Sequence, residues 1–208
     1  MKTKFYLMTL LCLFTLFSCK QNNTFTDFKY ADQPVVLNCE NLNSKLYQEA
    51  LYSFENDIAN FYSKDKNSLS RSYSQFIRAS AFNQVKFTEI VSPHTLQVFE
   101  ALKKDSDLWN SNNSTDHFNY KSSLMNCIAK NIGDKDLKTT LNALLSTNSM
   151  SSKLFNAPLI SNYGSVINDK YLATYVAFDL FYARLFDVDF TQIKAEKPQA
   201  KVDFNVTQ

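Results

Sequence analysis

The chain has 208 residues, with 22 basic and 20 acidic side chains, 18 Phe, 11 Tyr and only two Gly. Lys2 and Lys4 account for the basic excess, since without residues 1–18 the remainder balances 20 against 20. That balance argues against the electrostatic footprint of a protein that binds nucleic acid or anionic lipid. Gly133 and Gly164 stand too far apart for a Gly-rich phosphate cradle or a nucleophile elbow, both of which need residues free of a Cβ.

The first residues, Met1-Lys2-Thr3-Lys4, lead into the apolar run FYLMTLLCLFTLF and then into polar sequence. A charged start and an apolar run shorter than the roughly 20 residues of a membrane span predict a cleaved secretory signal over 1–18. At its end Leu16-Phe17-Ser18-Cys19 resembles the lipobox of bacterial lipoproteins: a leucine, a variable residue, a small residue and the invariant cysteine. The resemblance implies diacylglycerol on the Cys19 sulfur, cleavage before Cys19 and acylation of the new amino terminus, so membrane lipid is the first expected partner. Multiple acyl chains make such an anchor stable where one is marginal. The resemblance also implies the outer membrane, because Lys20 stands where an aspartate retains such proteins in the inner one. It leaves open which face of the membrane the domain occupies.

Residues 19–34, polar and closed by Pro34, are expected to be a lipidated tether. Apolar residues then recur in steps of three and four from about Ser44: Tyr47, Leu51, Phe54, Ile58 and Phe61, the face of a helix ending near SKDKNS. A second helix is predicted from Leu69 through Tyr73, Phe76, Ile77 and Phe82, its last turn running on into QVKFTEIV. Ser92-Pro93 marks a third start, a capping hydroxyl followed by proline at the first helical position. Trp109 falls in an expected loop. A helix carrying Leu124, Cys127 and Ile128 is expected to be capped by Gly133, and Asp134 to open the next, with Leu137, Leu141 and Leu144. Residues 146–168, with Pro158 and Gly164, read as irregular. The last helix, about 169–186, has only Asp179 and Arg184 charged between Tyr171 and Phe186, and a helix apolar nearly all round is buried. In the tail, 191–208, Val202, Phe204 and Val206 alternate, as a small hairpin or a disordered end.

These elements predict an all-α fold: one domain of about six helices over 35–190, the last of them central. Of four cysteines, Cys12 leaves with the signal and Cys19 carries lipid. Cys39 and Cys127 remain, to pair as a disulfide in an oxidising compartment or to stay two buried thiols. Neither has Cys-x-x-Cys spacing.

Asp179 is the sharpest polar oddity, because an acid on a buried helix needs a partner. It is a cleft carboxylate suited to acid–base work, or an ion-paired residue with Arg78 or Arg184 as candidate partners, or a residue on the helix's one wet edge. Arginine is rare here, which fits bidentate contacts that lysine would not replace. His94 and His117 lack the three or four neighbouring ligands of a zinc site, and no metal or cofactor is expected. The composition favours a non-catalytic module that binds or scaffolds another envelope protein. The second class is capture of a sugar, peptide or lipid in an aromatic cleft. An enzyme is the third, and needs polar groups converging on Asp179 or His94.

Overall fold

A computed structural model describes residues 25–63, 68–110 and 117–191. The expected signal, the lipobox-like residues with Cys19 and the alternating tail from 192 lie outside these residues.

Helix α1 (Ser44–Tyr62) is opened by Asn43, whose side chain accepts from the Leu46 N–H, and is buried from Leu46 to Ala59. Helix α2 (Leu69–Ala81), α3 (Phe87–Ile90) and α4 (Pro93–Leu102) follow, with Ser92 capping α4 through Thr95 N–H as the Ser-Pro pair predicts. Helix α5 (Ser123–Asn131) and α6 (Lys135–Ser146) form the expected neighbouring pair, capped by Ser122 and Asp134. Then come α7 (Ser152–Ser161), α8 (Tyr163–Asn168) and α9 (Lys170–Tyr175). The last helix continues from α9 as a π turn, Val176–Phe181, and a 3-10 segment, Tyr182–Asp187. The described residues form an all-α domain without a strand; Trp109 and Phe118 meet only in an isolated antiparallel bridge.

The last helix is central, as its sequence predicts. Residues Leu172 to Ala183 are buried, and the helix packs on α1, α2, α5 and α8. Rings tie the layers together, with Phe54 5.0 Å from both Phe76 and Phe181. Such offset and edge-on pairs add to the burial of the rings themselves. α1 shares the centre, which its three acids gave no reason to expect.

Two expectations are corrected. Residues 146–168 are mostly helical: Ser151 caps α7, which accommodates Pro158 inside it, so proline there punctuates without breaking. Gly133 is not a left-handed cap, since neither glycine has positive φ. Asparagines take that role at Asn83 and Asn148, and Asn41, in the turn before α1, has positive φ as well. After α2, Asn83 N–H bonds Ser80 C=O and Gln84 N–H bonds Ala79 C=O; after α6, Asn148 and Ser149 repeat the pattern onto Leu145 and Leu144. Both are Schellman closures with asparagine, the residue after glycine best able to enter that region. These two helices thus end without glycine.

Candidate functional site

Asp179 sits on the π turn, 1% exposed. Tyr175, one turn earlier, donates its hydroxyl to Oδ2 at 2.5 Å, and Tyr120 donates to Oδ1 at 3.0 Å. The Tyr120 oxygen in turn accepts the Ser152 N–H at 3.1 Å, and Ser152 Oγ accepts from Arg184 Nη2. Burial, then the Asp179 charge, pushes the Tyr175 hydroxyl well above the usual range, and Arg184 opposes this. The sequence-predicted pair Asp179 and Arg184 thus belong to one polar chain that joins the last helix to the start of α7. Arg78 does not join them; it is exposed in the last turn of α2.

Above this chain lies a groove of about 710 Å³ between the end of α2, the 82–87 connector and α7. Phe82, Phe87 and Ile160 are among its apolar lining residues, and Lys153, Asn156 and Arg184 among its polar ones. Phe82 is 68% exposed, the most exposed aromatic ring among the described residues. Asn156, 9% exposed, holds a carboxamide oxygen without a hydrogen-bond partner. Two further open depressions, near Asp134 and near Lys121, are each lined largely by polar side chains.

His94 belongs to a second polar centre. Its Nε2 lies 2.6 Å from Glu49 Oε1, and its Nδ1 lies 3.3 Å from Asp27 Oδ2. Glu49 also accepts the Lys29 and Tyr30 N–H groups at 2.8 and 3.0 Å. Two α1 turns further, Asp57 accepts the Ser92 N–H at 3.0 Å, and burial pushes its carboxyl up to about 7 against its hydrogen bonds and the nearby His94. A third buried acid of α1, Glu55, accepts Tyr73 Oη at 2.8 Å and Lys170 Nζ at 3.0 Å. Burial raises its carboxyl, and Lys170 lowers it. His117 stacks on Phe186 and meets Asp187 at 2.9 Å. No group of three or more His, Cys, Asp or Glu among the described residues is placed to hold a metal ion.

Sequence reasoning missed Glu49, Glu55 and Asp57. The signal was present: in YQEALYSFENDIANFY apolar residues occur so densely that no continuous polar face is left for the acids. Cys39 and Cys127 come together, their sulfurs bonded and their Cα atoms 6.2 Å apart, within the disulfide range. No helix among the described residues is long and apolar enough to cross a membrane. Comparison of the chain with protein-family profiles, with curated proteins and with solved structures finds no match.

Proposed function

We propose that the chain is a lipid-anchored interaction module of a bacterial cell envelope, tethered through Cys19 and binding a partner protein in the groove between α2 and α7. The observation that carries this reading is the groove's composition. Exposed Phe82, with Phe87 and Ile160, lines it together with the cations Lys153 and Arg184, and no acid is among its lining residues. Aromatic anchors with arginine nearby are the side chains that dominate protein interfaces. The fitting partner segment carries an apolar side chain next to a carboxylate. By contrast, Glu49, Glu55, Asp57 and Asp179 are turned inward onto protein partners, an arrangement suited to holding structure.

The test is crosslinking in intact cells with mass spectrometry, using the parent chain and Phe82→Asp. The reading expects a stoichiometric partner crosslinked at the groove and lost in the variant. Recovery of the bare protein, or a partner unaffected by Phe82→Asp, counts against it. Thermal stabilisation by fatty acids instead of by a protein would favour ligand capture in the same groove. A Cys19→Ala variant that stays in the membrane fraction would remove the anchor from the reading.

A further inference from the structure

The tripeptide Val-Asp-Phe occurs twice towards the end of the chain, at 188–190 and at 202–204. The first copy lies on the surface of the domain. Val188 is extended, with φ −104° and ψ 128°; Val188 and Phe190 are half-buried, Asp189 is exposed, and Phe190 packs against the core. This is the alternation of an extended segment laid on a surface, apolar side chains inward and the acid outward. The second copy, within Val202-Asp203-Phe204-Asn205-Val206, has the same alternation in sequence and lies outside the described residues.

We propose that residues 202–206 are the built-in occupant of the groove between α2 and α7, an autoinhibitory segment that a partner has to displace. The inference rests on the reading of that groove as a recognition site, and names what fills it when no partner is bound. The groove offers Phe82, Phe87 and Ile160 beside Lys153 and Arg184, with no acid among its lining residues. The segment offers the complement, one acid set among three apolar residues. Phe204 meets the aromatic rings, which pack well edge-on or offset. Alternation turns Asp203 away from that ring, towards the reach of the exposed Lys153 on its flexible stem. Asn156 adds a requirement of its own: it is 9% exposed, and its carboxamide oxygen has no donor. An extended segment brings backbone N–H groups that satisfy such an oxygen, and an acyl chain brings none.

The connection is long enough. Arg184 lines the groove and stands seven residues before Thr191, the last described residue, so Thr191 lies within roughly 25 Å of it. Eleven residues lead from Thr191 to Val202, with an extended reach of roughly 35–40 Å. The spacer QIKAEKPQAK carries three lysines against Glu196. It gains nothing from a groove that is itself cationic, so the contact falls to the acid and the ring of 202–206. A tethered segment needs little intrinsic affinity, because its effective concentration is on the order of millimolar. A free partner with a similar apolar and acidic pair competes against that concentration, so the tail sets the threshold for occupying the groove.

NMR of the purified full chain tests it. Amide shifts of the parent and of Phe204→Ser should differ over 80–87 and 151–160 as well as in the tail, and the differences should persist on dilution. Asp203→Lys should give the same changes. Lys153→Asp, at an exposed position, should release the tail, and combining it with Asp203→Lys should dock the tail again. A capped peptide of residues 201–208 should bind Phe204→Ser at the groove at least tenfold more tightly than it binds the parent, whose groove is already filled. Shift differences confined to the tail, equal affinity for the two chains, or a peptide that binds neither would overturn the inference. So would docking lost on dilution, which means exchange between two copies, or a groove that answers to a fatty acid and not to the peptide. Crosslinking in cells keeps this test apart from that of the proposed function. A partner held at the groove without these shifts retains the proposed function and removes the tail; the shifts without any partner retain the tail and remove the proposed function.

Discussion

Tyr175 and Asp179, four residues apart on the last helix, share a 2.5 Å hydrogen bond in the middle of the core. Tyr120 supplies the second phenol from the loop before α5, so the carboxylate is held from two elements at once. Removing a partner strands buried polar atoms, which costs about 1–3 kcal/mol per group. Tyr120→Phe also strips the Ser152 N–H of its acceptor, and should lower stability by that amount. Asp179→Ala, which strands both phenols, should cost more. Urea unfolding of the two single variants and the double reads this directly, and the double should fall short of the sum because the sites share one network. An Asp179→Ala chain as stable as the parent would contradict the arrangement.

Asp57 gives a pH dependence of definite sign. Its folded carboxyl is raised to about 7 from 3.8, chiefly by burial. Between those values the folded chain holds a proton that the unfolded chain has lost. Its contribution is therefore fully present below about pH 3.8 and declines as the pH rises toward 7, by at most about 1.4 kcal/mol per unit. Asp57→Asn keeps an acceptor for the Ser92 N–H and cannot ionise. Its stability relative to the parent should climb from pH 4 to pH 7, by a few kcal/mol in all. A difference independent of pH would rule out burial of the charge as its origin.

Glu55 and Lys170 join α1 to the start of the last helix, with Glu55 1% and Lys170 31% exposed. The ammonium also lies 5.1 Å above the Tyr52 ring. Lys170→Met leaves a buried carboxylate facing only the Tyr73 hydroxyl, and breaking a buried pair in this way costs about 3–5 kcal/mol. The partial exposure of Lys170 places the expectation at the lower end. Adding Glu55→Gln should restore most of the loss, since a neutral amide needs no counter-charge. Chemical unfolding of the three variants at pH 7 decides it, and a double variant no better than Lys170→Met would refute the pairing.

The fold was legible where one signal sufficed. Helical spacing and the hydroxyl and carboxylate caps located α1, α2, α4, α5 and α6, and the near-absence of charge located the buried last helix. Residues 146–168 were misread because Pro158 and Gly164 speak locally for a loop, while burial of Phe155, Leu159 and Val166 decides for helix. Asp179 stood out because it is nearly alone among apolar residues. Glu49, Glu55 and Asp57 did not, because acids on a long helix ordinarily face water. Only the third dimension shows that the segment around Tyr30 covers Glu49, α2 and Lys170 cover Glu55, and α4 covers Asp57. The groove is equally a product of assembly: Phe82 ends one helix and Ile160 another, and nothing in their spacing of 78 positions announces contact with a common hollow.

Cys39 and Cys127 close a loop of 88 residues, tying the segment before α1 to α5. On the chain-entropy account such a link removes about 4–5 kcal/mol of freedom from the unfolded chain. Cys39→Ser/Cys127→Ser should lower the unfolding free energy by up to that amount. The folded helices stay in place, because Cys127 lies on a helix whose burial rests on Leu124, Met125 and Ile128. Reductant should bring the parent down to the stability of the double variant and leave the double variant unmoved. Urea midpoints with and without reductant, read beside far-ultraviolet circular dichroism, separate a lost crosslink from a lost fold. A parent chain indifferent to reductant would show that the two sulfurs are not bonded in solution.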